Sequence, residues 1–406
     1  MIPLPIDDVR RLVTGQLEVA PWADEVTGLQ TDSRRVEEGD LFVAVGGGVD
    51  FVKHAFARGA AATLVSDDAF AALAALAGAI RDRSGARFVA ITGSMGKTST
   101  KDILAALCEH QRRTVAAERS YNAEIGVPLT IGRVEADTEL CILELAMRGF
   151  GQIAALCAFA RPDVGVITNI GPVHLEKVGD LDGVARAKAE LVDALPAGGI
   201  AVVPDDFPVE RDDLHHVRIG DEVVFEPPIL RTPYGTVEVD FTARHLARNA
   251  LTAFATASAL GLTVPDRLDV TFTEWRNQEL ALPGGGVLVN DAWNANPVSM
   301  RAGLEHLVAL AAGRRTVAVL GDMAELGEYS DEGHREVGRA VAELGIDEVV
   351  AIGPQAAAYG GRHVDTVDEA VVLLEEMLGT GDCVFVKGAR VMGLERVADA
   401  LTGARA

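Results

Sequence analysis

The chain has 406 residues, and its 37 basic and 60 acidic side chains leave a formal charge of −23. At about 150 residues per domain, this length predicts two or three domains. Hydrophobic residues make up 49% of the chain, which excludes a disordered protein. The acidic balance argues against a nucleic-acid-binding protein, whose affinity depends on clustered Lys and Arg, but it permits a local basic pocket.

The four cysteines indicate neither a disulfide framework nor a zinc site. Cys108, Cys141, Cys157 and Cys383 are widely spaced among apolar residues and form no CxxC pair, so we expect buried, reduced thiols. The N-terminus lacks the basic-then-apolar order of a signal peptide, and the longest apolar stretch, residues 70–80, is too short to span a bilayer. We therefore expect a soluble protein located in the cytoplasm.

The first 87 residues predict a small α/β domain. Short apolar segments at 41–45 and 62–66 are typical of strands, and the Ala-rich segment 69–80 is typical of a helix. The polar stretch 81–87 contains Gly and is predicted to be a linker.

Residues 88–272 predict a central domain built on a mostly parallel sheet. Strand-like segments alternate with helical patterns, which favours a sheet covered by helices on both faces. The strands are expected at 86–92, 139–145 and 163–170, and the helices at 100–110, 183–195 and 244–261. Residues 197–240 predict short strands and loops.

From residue 273 onward, the pattern predicts a second doubly wound α/β domain. Strand-like segments are separated by helices, as expected for parallel strands with crossover connections. These segments lie at 287–291, 316–322, 348–353 and 383–388.

The strongest local feature is the segment 92–98, Thr-Gly-Ser-Met-Gly-Lys-Thr, between a predicted strand and a predicted helix. Its glycines let backbone N–H groups approach phosphates, and the helix N-terminus adds positive potential. Lys97 is predicted to reach the β- and γ-phosphates of a nucleotide, and the Thr98 hydroxyl to bind Mg²⁺. The spacing is GxxGKT rather than GxxxxGK[ST], because position 91 is Ile. The alternative, an ordinary strand-to-helix turn, does not need Lys-Thr after Gly.

Other polar side chains follow predicted strands, at the sheet edge where α/β proteins bind ligands. Glu144 is a candidate Mg²⁺ ligand or water-positioning group, or else a solvated strand-end residue. His174 follows the strand that ends with Thr168 and Asn169, but Mg²⁺ prefers oxygen ligands, so spacing alone does not make it a ligand. Lys188 has the pattern of a solvated helix lysine.

Two polar clusters follow strands of the predicted third domain. The first is either a ligand-binding loop or a set of Asx turns before a proline. It contains Asp291, Trp293, Asn294 and Asn296. The second is unusual for a connector, although a helix N-terminus would explain its acids. It contains Asp322, Glu325 and His334.

Several motifs together resemble the Mur ligases of peptidoglycan synthesis, over essentially the whole chain. They are TGSMGKTSTKD (92–102), NAEIGVPLT (122–130), TNIGPVHLE (168–176), AKAEL (187–191), NDAWNANPVSM (290–300), LGDMAELG (320–327) and VKGAR (386–390). The short phosphate-loop spacing is that of this superfamily, which includes folylpolyglutamate synthases. The segment 31–47 is similar to the uridine-nucleotide domain of two members, and NANP and LGDMAELG favour the one that adds the terminal dipeptide.

This resemblance implies three domains with separate ligands. A small N-terminal α/β domain (1–87) would bind the uridine nucleotide. A central P-loop ATPase-like parallel sheet (88–272) would bind ATP, and a C-terminal Rossmann-like domain (273–406) would bind the incoming dipeptide. The implied reaction joins D-alanyl-D-alanine to UDP-N-acetylmuramoyl-tripeptide through an acyl phosphate, and a monomer is expected. A family ligase with another amine acceptor and an inactive ATP-binding scaffold are the alternatives.

The same resemblance implies roles for individual residues. The implied catalytic residues are Lys97, Glu144, His174 and Lys188. The implied Mg²⁺ ligands are Thr98, Glu144, His174 and a carbamylated Lys188. The implied ATP contacts are Gly93, Ser94, Met95, Gly96, Lys97, Thr98, Ser99, Asn249, Arg276 and Asp291. The implied substrate contacts are Ser33, Arg34, Asn122, Arg148, Asn169, Asn294, Asn296, Asp322 and Glu325.

Three positions depart from the family pattern. Trp293 stands where the family commonly has Tyr, and Trp275 stands where it commonly has Gly before the arginine that contacts phosphate. The family's Asp-Gly-His after the N-terminal glycines is interrupted at residues 50–54. These departures lie at the expected contacts of Arg276 with ATP and of the N-terminal domain with the uridine nucleotide.

Overall fold

The computed structural model describes residues 1–403, so the last three residues of the predicted third domain lie outside it. The N-terminal part has a four-stranded sheet in the order β2-β6-β5-β4, in which only β2 is antiparallel to its neighbour. Its elements are β1 (Leu4–Pro5), α1 (Ile6–Leu12), β2 (Gln16–Val19), β3 (Glu25–Val26), β4 (Gly28–Gln30), β5 (Asp40–Ala44), α2 (Val52–Ala57), β6 (Ala62–Val65) and α3 (Ala69–Arg83). The predicted strands at 41–45 and 62–66 are confirmed.

The predicted linker at 81–87 is wrong at both ends, because α3 continues to Arg83 and β7 begins at Arg87. Basic side chains stabilise the C-terminal end of a helix. Arg83 donates a hydrogen bond to the Ala79 carbonyl (2.9 Å) and pairs with Asp8 (2.6 Å). The helix is therefore longer than its apolar pattern indicates.

The central part contains a six-stranded, entirely parallel sheet in the order β12-β11-β10-β7-β9-β8. A second sheet, β13-β14-β15-β16, was not predicted as a separate unit. The elements are β7 (Arg87–Thr92), α4 (Lys97–Glu109), β8 (Thr114–Ala116), α5 (Gly126–Ile131), β9 (Leu140–Glu144), α6 (Gln152–Ala160), β10 (Val164–Ile167), α7 (Leu175–Val178), α8 (Leu181–Asp193), β11 (Ile200–Pro204), β12 (His215–Ile219), β13 (Val224–Glu226), β14 (Ile229–Thr232), β15 (Gly235–Val239), α9 (Arg244–Ala259) and β16 (Arg267–Leu268).

Both faces of the central sheet are buried, as the parallel arrangement requires. Phe88 and Ala90 of β7 belong to the core shared with α3 and α6, whereas Val89 and Ile91 belong to the core shared with α4 and α9. The predicted sheet with helices on both faces is therefore confirmed. The N-terminal part packs on the face that contains Phe88 and Ala90. It therefore lies against the sheet whose strand β7 leads into the glycine-containing loop 93–96, called the phosphate loop below.

The third part is a second six-stranded sheet in the order β17-β18-β22-β19-β20-β21, parallel except for β17. Helices cover both faces, as expected for a doubly wound domain. Its elements are β17 (Gln278–Ala281), β18 (Val287–Asn290), α10 (Pro297–Ala311), β19 (Thr316–Gly321), α11 (Ser330–Leu344), β20 (Glu348–Ile352), β21 (Arg362–Val364), α12 (Val367–Met377), β22 (Cys383–Lys387) and α13 (Glu395–Thr402). Across residues 1–403, no helix is both long enough and apolar enough to cross a membrane.

Candidate functional site

The phosphate loop connects the end of β7 to the start of α4 and depends on two glycines. Gly93 (φ +149°) and Gly96 (φ +76°) have backbone conformations that L-residues rarely adopt. A Cβ on Gly93 would lie 1.9 Å from Thr168 Oγ1, and one on Gly96 would lie 2.3 Å from Asn249 Oδ1. The left-handed Gly96 is the last residue before the helix. α4 therefore begins at Lys97, three residues earlier than predicted.

The segment after β10 holds the phosphate loop in place. Asn169 Oδ1 accepts a hydrogen bond from Met95 N (2.9 Å), and Asn169 Nδ2 donates to Met95 O (3.0 Å). Ser94 Oγ accepts from Gly171 N (2.8 Å). Asn169 therefore orders the loop as well as facing the space beside it.

Lys97 lies at the first position of α4, and its Nζ donates to the Gly93 carbonyl (2.7 Å). Burial lowers the pKa of Lys97 to about 8, while the nearby Glu144 carboxylate opposes that shift and Arg276 adds to it. The ammonium group is thus still mostly charged at neutral pH.

Glu144 ends β9 and is completely buried, so the interpretation as a solvated strand-end residue is wrong. Its Oε1 accepts a hydrogen bond from Asn122 Nδ2 (2.8 Å), whereas its Oε2 is buried without a hydrogen-bond partner. A buried carboxylate oxygen without a partner is costly unless a cation completes it. Thr98, the other predicted oxygen donor, is also buried.

His174 and Arg148 both contact Glu325, which belongs to the third domain. His174 Nδ1 lies 2.8 Å from Glu325 Oε2, and Arg148 Nε lies 3.2 Å from Glu325 Oε1. His174 (φ +53°) and Glu325 (φ +61°) have left-handed backbones. Burial lowers the pKa of His174, and the Glu325 carboxylate opposes this shift. The structure therefore joins three predicted residues, with Glu325 occupying one ring nitrogen of His174.

Lys188 lies on α8 and is only 2% exposed, so the pattern of a solvated helix lysine is misleading. Burial lowers the pKa of Lys188 well below its usual value, and the positive charge of Lys97 lowers it further. Its amine is therefore held in a less basic state than an ordinary lysine.

A cavity of about 540 Å³ lies between the phosphate loop and the third domain. It unites most of the residues for which ATP contacts were predicted with three of those predicted to contact substrate. The predicted residues that line it are Ser94, Met95, Gly96, Lys97, Thr98, Ser99, Asn169, Asn249, Arg276, Asp291, Asn294 and Asn296.

Lys387 was not predicted as a site residue, yet it lines this cavity at the end of β22. Its Nζ donates to Asp291 Oδ2 and to the Asn294 carbonyl (2.9 Å). Asp291 Oδ1 also accepts from Asn277 N (3.2 Å). Burial lowers the pKa of Lys387, and the Asp291 carboxylate opposes that shift. A lysine that ends an apolar strand in the VKGAR motif was the available signal.

The first turns of α9 supply two more lining residues that were not predicted, His245 and Arg248. His245 Nδ1 is buried without a hydrogen-bond partner, and burial lowers the pKa of this imidazole to about 4. His245 and Asn249 are spaced i, i+4 and therefore share one face of the helix. This spacing was a usable signal.

Family models match two parts of the chain: "Mur ligase middle domain" over residues 91–219 and "Mur ligase, glutamate ligase domain" over residues 275–390. A UDP-N-acetylmuramoyl-tripeptide–D-alanyl-D-alanine ligase from Mycobacterium bovis is 33% identical, and the match covers 99% of this chain and 98% of that protein. The chain belongs to the Mur ligase family.

Solved structures extend the similarity to the whole Mur ligase fold. A MurF crystal structure from Acinetobacter baumannii has a TM-score of 0.83 and 27% identity, and the match covers 99% of each chain. A MurF ligase from Thermotoga maritima in complex with ADP has a TM-score of 0.80 and 27% identity, and the match covers 93% of this chain and 97% of that one. The predicted three-domain α/β fold is thereby confirmed.

Two polar residues of this Mur ligase's third domain stabilise a loop outside the cavity. Asp322 Oδ1 accepts hydrogen bonds from Gln355 N (3.0 Å) and Ala356 N (2.7 Å). His334 is buried, and its Nε2 accepts from Met323 N (3.0 Å). The carboxylate of Asp322 is thus engaged by backbone groups, unlike that of Glu325.

The N-terminal domain of this Mur ligase contains the remaining predicted contacts, Ser33 and Arg34. Ser33 is buried, and its Oγ lies 2.9 Å from His54 Nδ1. Arg34 is exposed and pairs with Asp32 (2.8 Å). His54 belongs to the segment in which the family's Asp-Gly-His is interrupted, so a histidine still reaches Ser33.

Among residues 1–403, no group of three or more His, Cys, Asp or Glu side chains has an arrangement that could hold a metal ion. The predicted ligands Thr98 and Glu144 include one carboxylate and one hydroxyl. Both offer oxygen, which is the donor type that Mg²⁺ prefers. The buried Glu144 Oε2 without a partner is the observation that fits a cation here.

Proposed function

We propose that this chain is an ATP-dependent ligase that joins D-alanyl-D-alanine to UDP-N-acetylmuramoyl-tripeptide and so completes the pentapeptide precursor of peptidoglycan. Full-length similarity to relatives of that name supports the proposal, because it includes the N-terminal domain. The observation that carries it is the cavity of about 540 Å³, in which the phosphate loop faces Asn294 and Asn296 of the third domain. A phosphate-activating site and an acceptor site thus share one space.

The proposed reaction has two steps. The tripeptide carboxylate attacks the γ-phosphorus of ATP, ADP leaves, and an acyl phosphate forms on the peptide. The amine of the dipeptide then attacks the acyl carbon, loses a proton and displaces inorganic phosphate. Both steps are accelerated chiefly by positioning and by neutralisation of developing charge.

The residues of the phosphate loop would bind the ATP phosphates. Lys97 Nζ, which donates to the Gly93 carbonyl in this structure, would exchange that partner for a phosphate oxygen. Arg276 lines the same cavity and would contribute a second positive charge. We assign Asn249 to the adenine and Asp291 to the ribose. Support for ATP comes from the ADP complex of a structural neighbour and from this loop.

Thr98 and Glu144 would hold Mg²⁺, which when bound neutralises charge on the phosphates. His174 offers a nitrogen, whereas Mg²⁺ prefers oxygen donors. Glu325 engages its Nδ1 and leaves Nε2 for another partner, as is usual for metal-bound histidines. We therefore give the first metal site to the two oxygen donors and keep His174 as a candidate for a second site.

We further propose that Lys188 is carbamylated. A neutral buried amine can attack CO₂, forming an N–C bond and releasing one proton, and the product is an anionic carbamate. Such an anion would offset the neighbouring charge of Lys97, which otherwise lowers the pKa of Lys188. It would also add oxygen donors of the type that Mg²⁺ prefers.

A rescue experiment tests the carbamate. Lys188→Ala should lose most of its activity and regain part of it when a short carboxylic acid such as acetate is added. Lys188→Arg is the matched control, because its side chain fills the space and should not respond to acetate. Full activity of Lys188→Ala without any carboxylate would refute the proposal.

We propose for the three domains the roles that the resemblance to the Mur ligases implies. Residues 1–87 would bind the uridine nucleotide through Ser33 and Arg34, and residues 88–272 would bind ATP. Residues 273–406 would bind the dipeptide through Asn294, Asn296 and Glu325, while Asn122, Arg148 and Asn169 would contact the tripeptide end. Asp322 is the weakest of the predicted dipeptide contacts, because backbone N–H groups already engage its carboxylate.

Phosphate release in the presence of different amines tests the function. The protein is mixed with ATP, Mg²⁺ and UDP-N-acetylmuramoyl-tripeptide, and then with D-alanyl-D-alanine, D-alanine or an L-amino acid. Release that depends on the dipeptide supports the proposal. Release only with a free amino acid would indicate a ligase with another acceptor, and no release with any amine would indicate an inactive scaffold.

A further inference from the structure

The nucleotide cavity contains one arginine whose backbone is constrained on both sides. Arg276 lies between Trp275 (φ +61°) and Asn277 (φ +50°), and both neighbours have the left-handed conformation. Side chains other than Gly rarely adopt this conformation, so it persists only where surrounding contacts impose it. The Arg276 Nε is buried without a hydrogen-bond partner, so this atom adds no restraint.

The restraint comes from the loop that follows β18. Asp291 Oδ1 accepts a hydrogen bond from Asn277 N (3.2 Å), and Trp293 N donates to the Trp275 carbonyl (3.3 Å). The indoles of Trp275 and Trp293 also stack, with ring centroids 6.0 Å apart and planes inclined by 21°. The segment 275–277 is thus pinned to the loop 291–293 at both of its ends.

Two guanidinium groups lie over this aromatic pair. Arg390 lies 4.6 Å from the Trp275 ring centroid and 5.4 Å from that of Trp293. Arg276 lies 5.6 Å from the Trp293 centroid. Cations over an indole face are attracted by its negative potential, more strongly when partly desolvated. Trp293 therefore touches both the pinned backbone and the functional side chain.

We propose that Trp275 and Trp293, clamped by Arg390, are positioning residues that hold the Arg276 guanidinium in the nucleotide cavity. A glycine at position 275 would adopt a left-handed backbone without strain. Trp275 is held in that conformation by stacking on Trp293. The pair is built from the two aromatic departures from the family pattern, and each indole needs the other to form the stack. This inference rests on the proposed function, since it assumes that ATP phosphates occupy the cavity.

Steady-state kinetics with single and double variants test this role. Trp293→Ala should raise the KM for ATP about tenfold, with a smaller change in kcat, because a desolvated cation–π contact is lost. Trp293→Phe keeps a ring at this position and should stay within about threefold of the unsubstituted protein. Trp22→Ala removes an exposed tryptophan of the N-terminal domain and should change neither the KM for ATP nor kcat.

The decisive comparison uses Arg276→Ala. If the indoles act through Arg276, adding Trp293→Ala to Arg276→Ala should raise the KM for ATP no further. A full additional effect in that background, or an unchanged KM in Trp293→Ala, would overturn the proposal.

Tryptophan fluorescence gives a readout that does not depend on turnover or on the stability of the Trp293 variants. The chain has three tryptophans, so Trp22→Phe leaves only the stacked pair. ATP should shift the emission of this pair, and adding Arg276→Ala to the Trp22→Phe protein should reduce that shift by at least half. Calorimetry on the unsubstituted protein separates the two failures: absence of ATP binding refutes the proposed function, whereas binding without any emission change refutes only the positioning role.

Discussion

Substituting Gly96 by alanine perturbs the phosphate loop at the point where it meets α9. Gly96 has φ +76°, and an added Cβ would lie 2.3 Å from Asn249 Oδ1 and 3.0 Å from Asn249 Cγ. Asn249 is itself only 8% exposed, so its side chain has little room to move away. The substitution therefore strains the loop and displaces a residue that we assign to adenine.

The expected cost can be worked from these two effects. The left-handed conformation costs an L-residue about 1–2 kcal/mol. Overpacking of a buried contact typically adds about 1–3 kcal/mol. The sum is about 2–5 kcal/mol, and at roughly 2–4 °C per kcal/mol for a domain of this size, melting should fall by at least about 4 °C.

Differential scanning fluorimetry and calorimetric titration with ATP measure the two consequences. Gly85→Ala is the matched control, because a Cβ there meets nothing within 4 Å and its φ is ordinary. The double variant Gly96→Ala/Asn249→Ala removes the clash but keeps the backbone strain, so it should recover only part of the melting temperature. ATP affinity should fall at least tenfold in Gly96→Ala, since the loop must shift away from its phosphate-binding geometry.

The smallest expected cost lowers the melting temperature by about 4 °C. A Gly96→Ala protein that melts within about 1 °C of the Gly85→Ala control and binds ATP normally would therefore refute the reasoning. A protein with normal melting but weak ATP binding would show that neither the backbone strain nor the contact with Asn249 lowers stability, and that only the loop geometry affects ATP binding.

Three further predictions concern charged residues of the site. Lys97→Ala should abolish phosphate release while leaving the melting temperature nearly unchanged, and retention of most of the activity would exclude the phosphate-loop assignment. Because burial lowers the pKa of Lys97 to about 8, its ammonium loses its charge as pH rises through that value, so ATP affinity measured by calorimetry should decrease between pH 7 and pH 9; a flat profile would contradict this. Glu325→Ala removes contacts of partly exposed groups with His174 and Arg148, each worth at most about 1 kcal/mol. Melting should barely change, but the radius of gyration from X-ray scattering should increase, because these contacts join the central and third domains; an unchanged radius would contradict this.

Local structure around the predicted loop was well predicted. The strand, glycine loop and helix around Lys97 form one contiguous segment, and their spacing follows from backbone geometry alone. Glu144 was found because it ends an apolar strand, where parallel sheets bind ligands. The start of α4 was misplaced by three residues, since its first residues, from Lys97, are polar and have no apolar periodicity to mark them.

Burial of charged groups could not be predicted in the same way. Lys188 has the spacing of a solvated helix residue, yet it is 2% exposed because α8 packs against β7 and β10 of the central sheet. Its burial depends on where a distant sheet lies, which the helix's own pattern does not contain. The family resemblance, rather than the pattern, pointed to this lysine.

The sequence by itself determined the phosphate loop, the strand-end carboxylate and the alternation that produces two doubly wound sheets, because each signal is carried by residues close together in the chain. Only the tertiary structure decided which distant groups meet. Lys387 reaches Asp291 across 96 residues, Glu325 contacts His174 across two domains, and Trp275 stacks on Trp293 beside Arg276. The first and third contacts depend on how the strands and loops of the third domain assemble, and the second depends on how two domains pack. Both are set by the combined burial of many residues and not by any local motif.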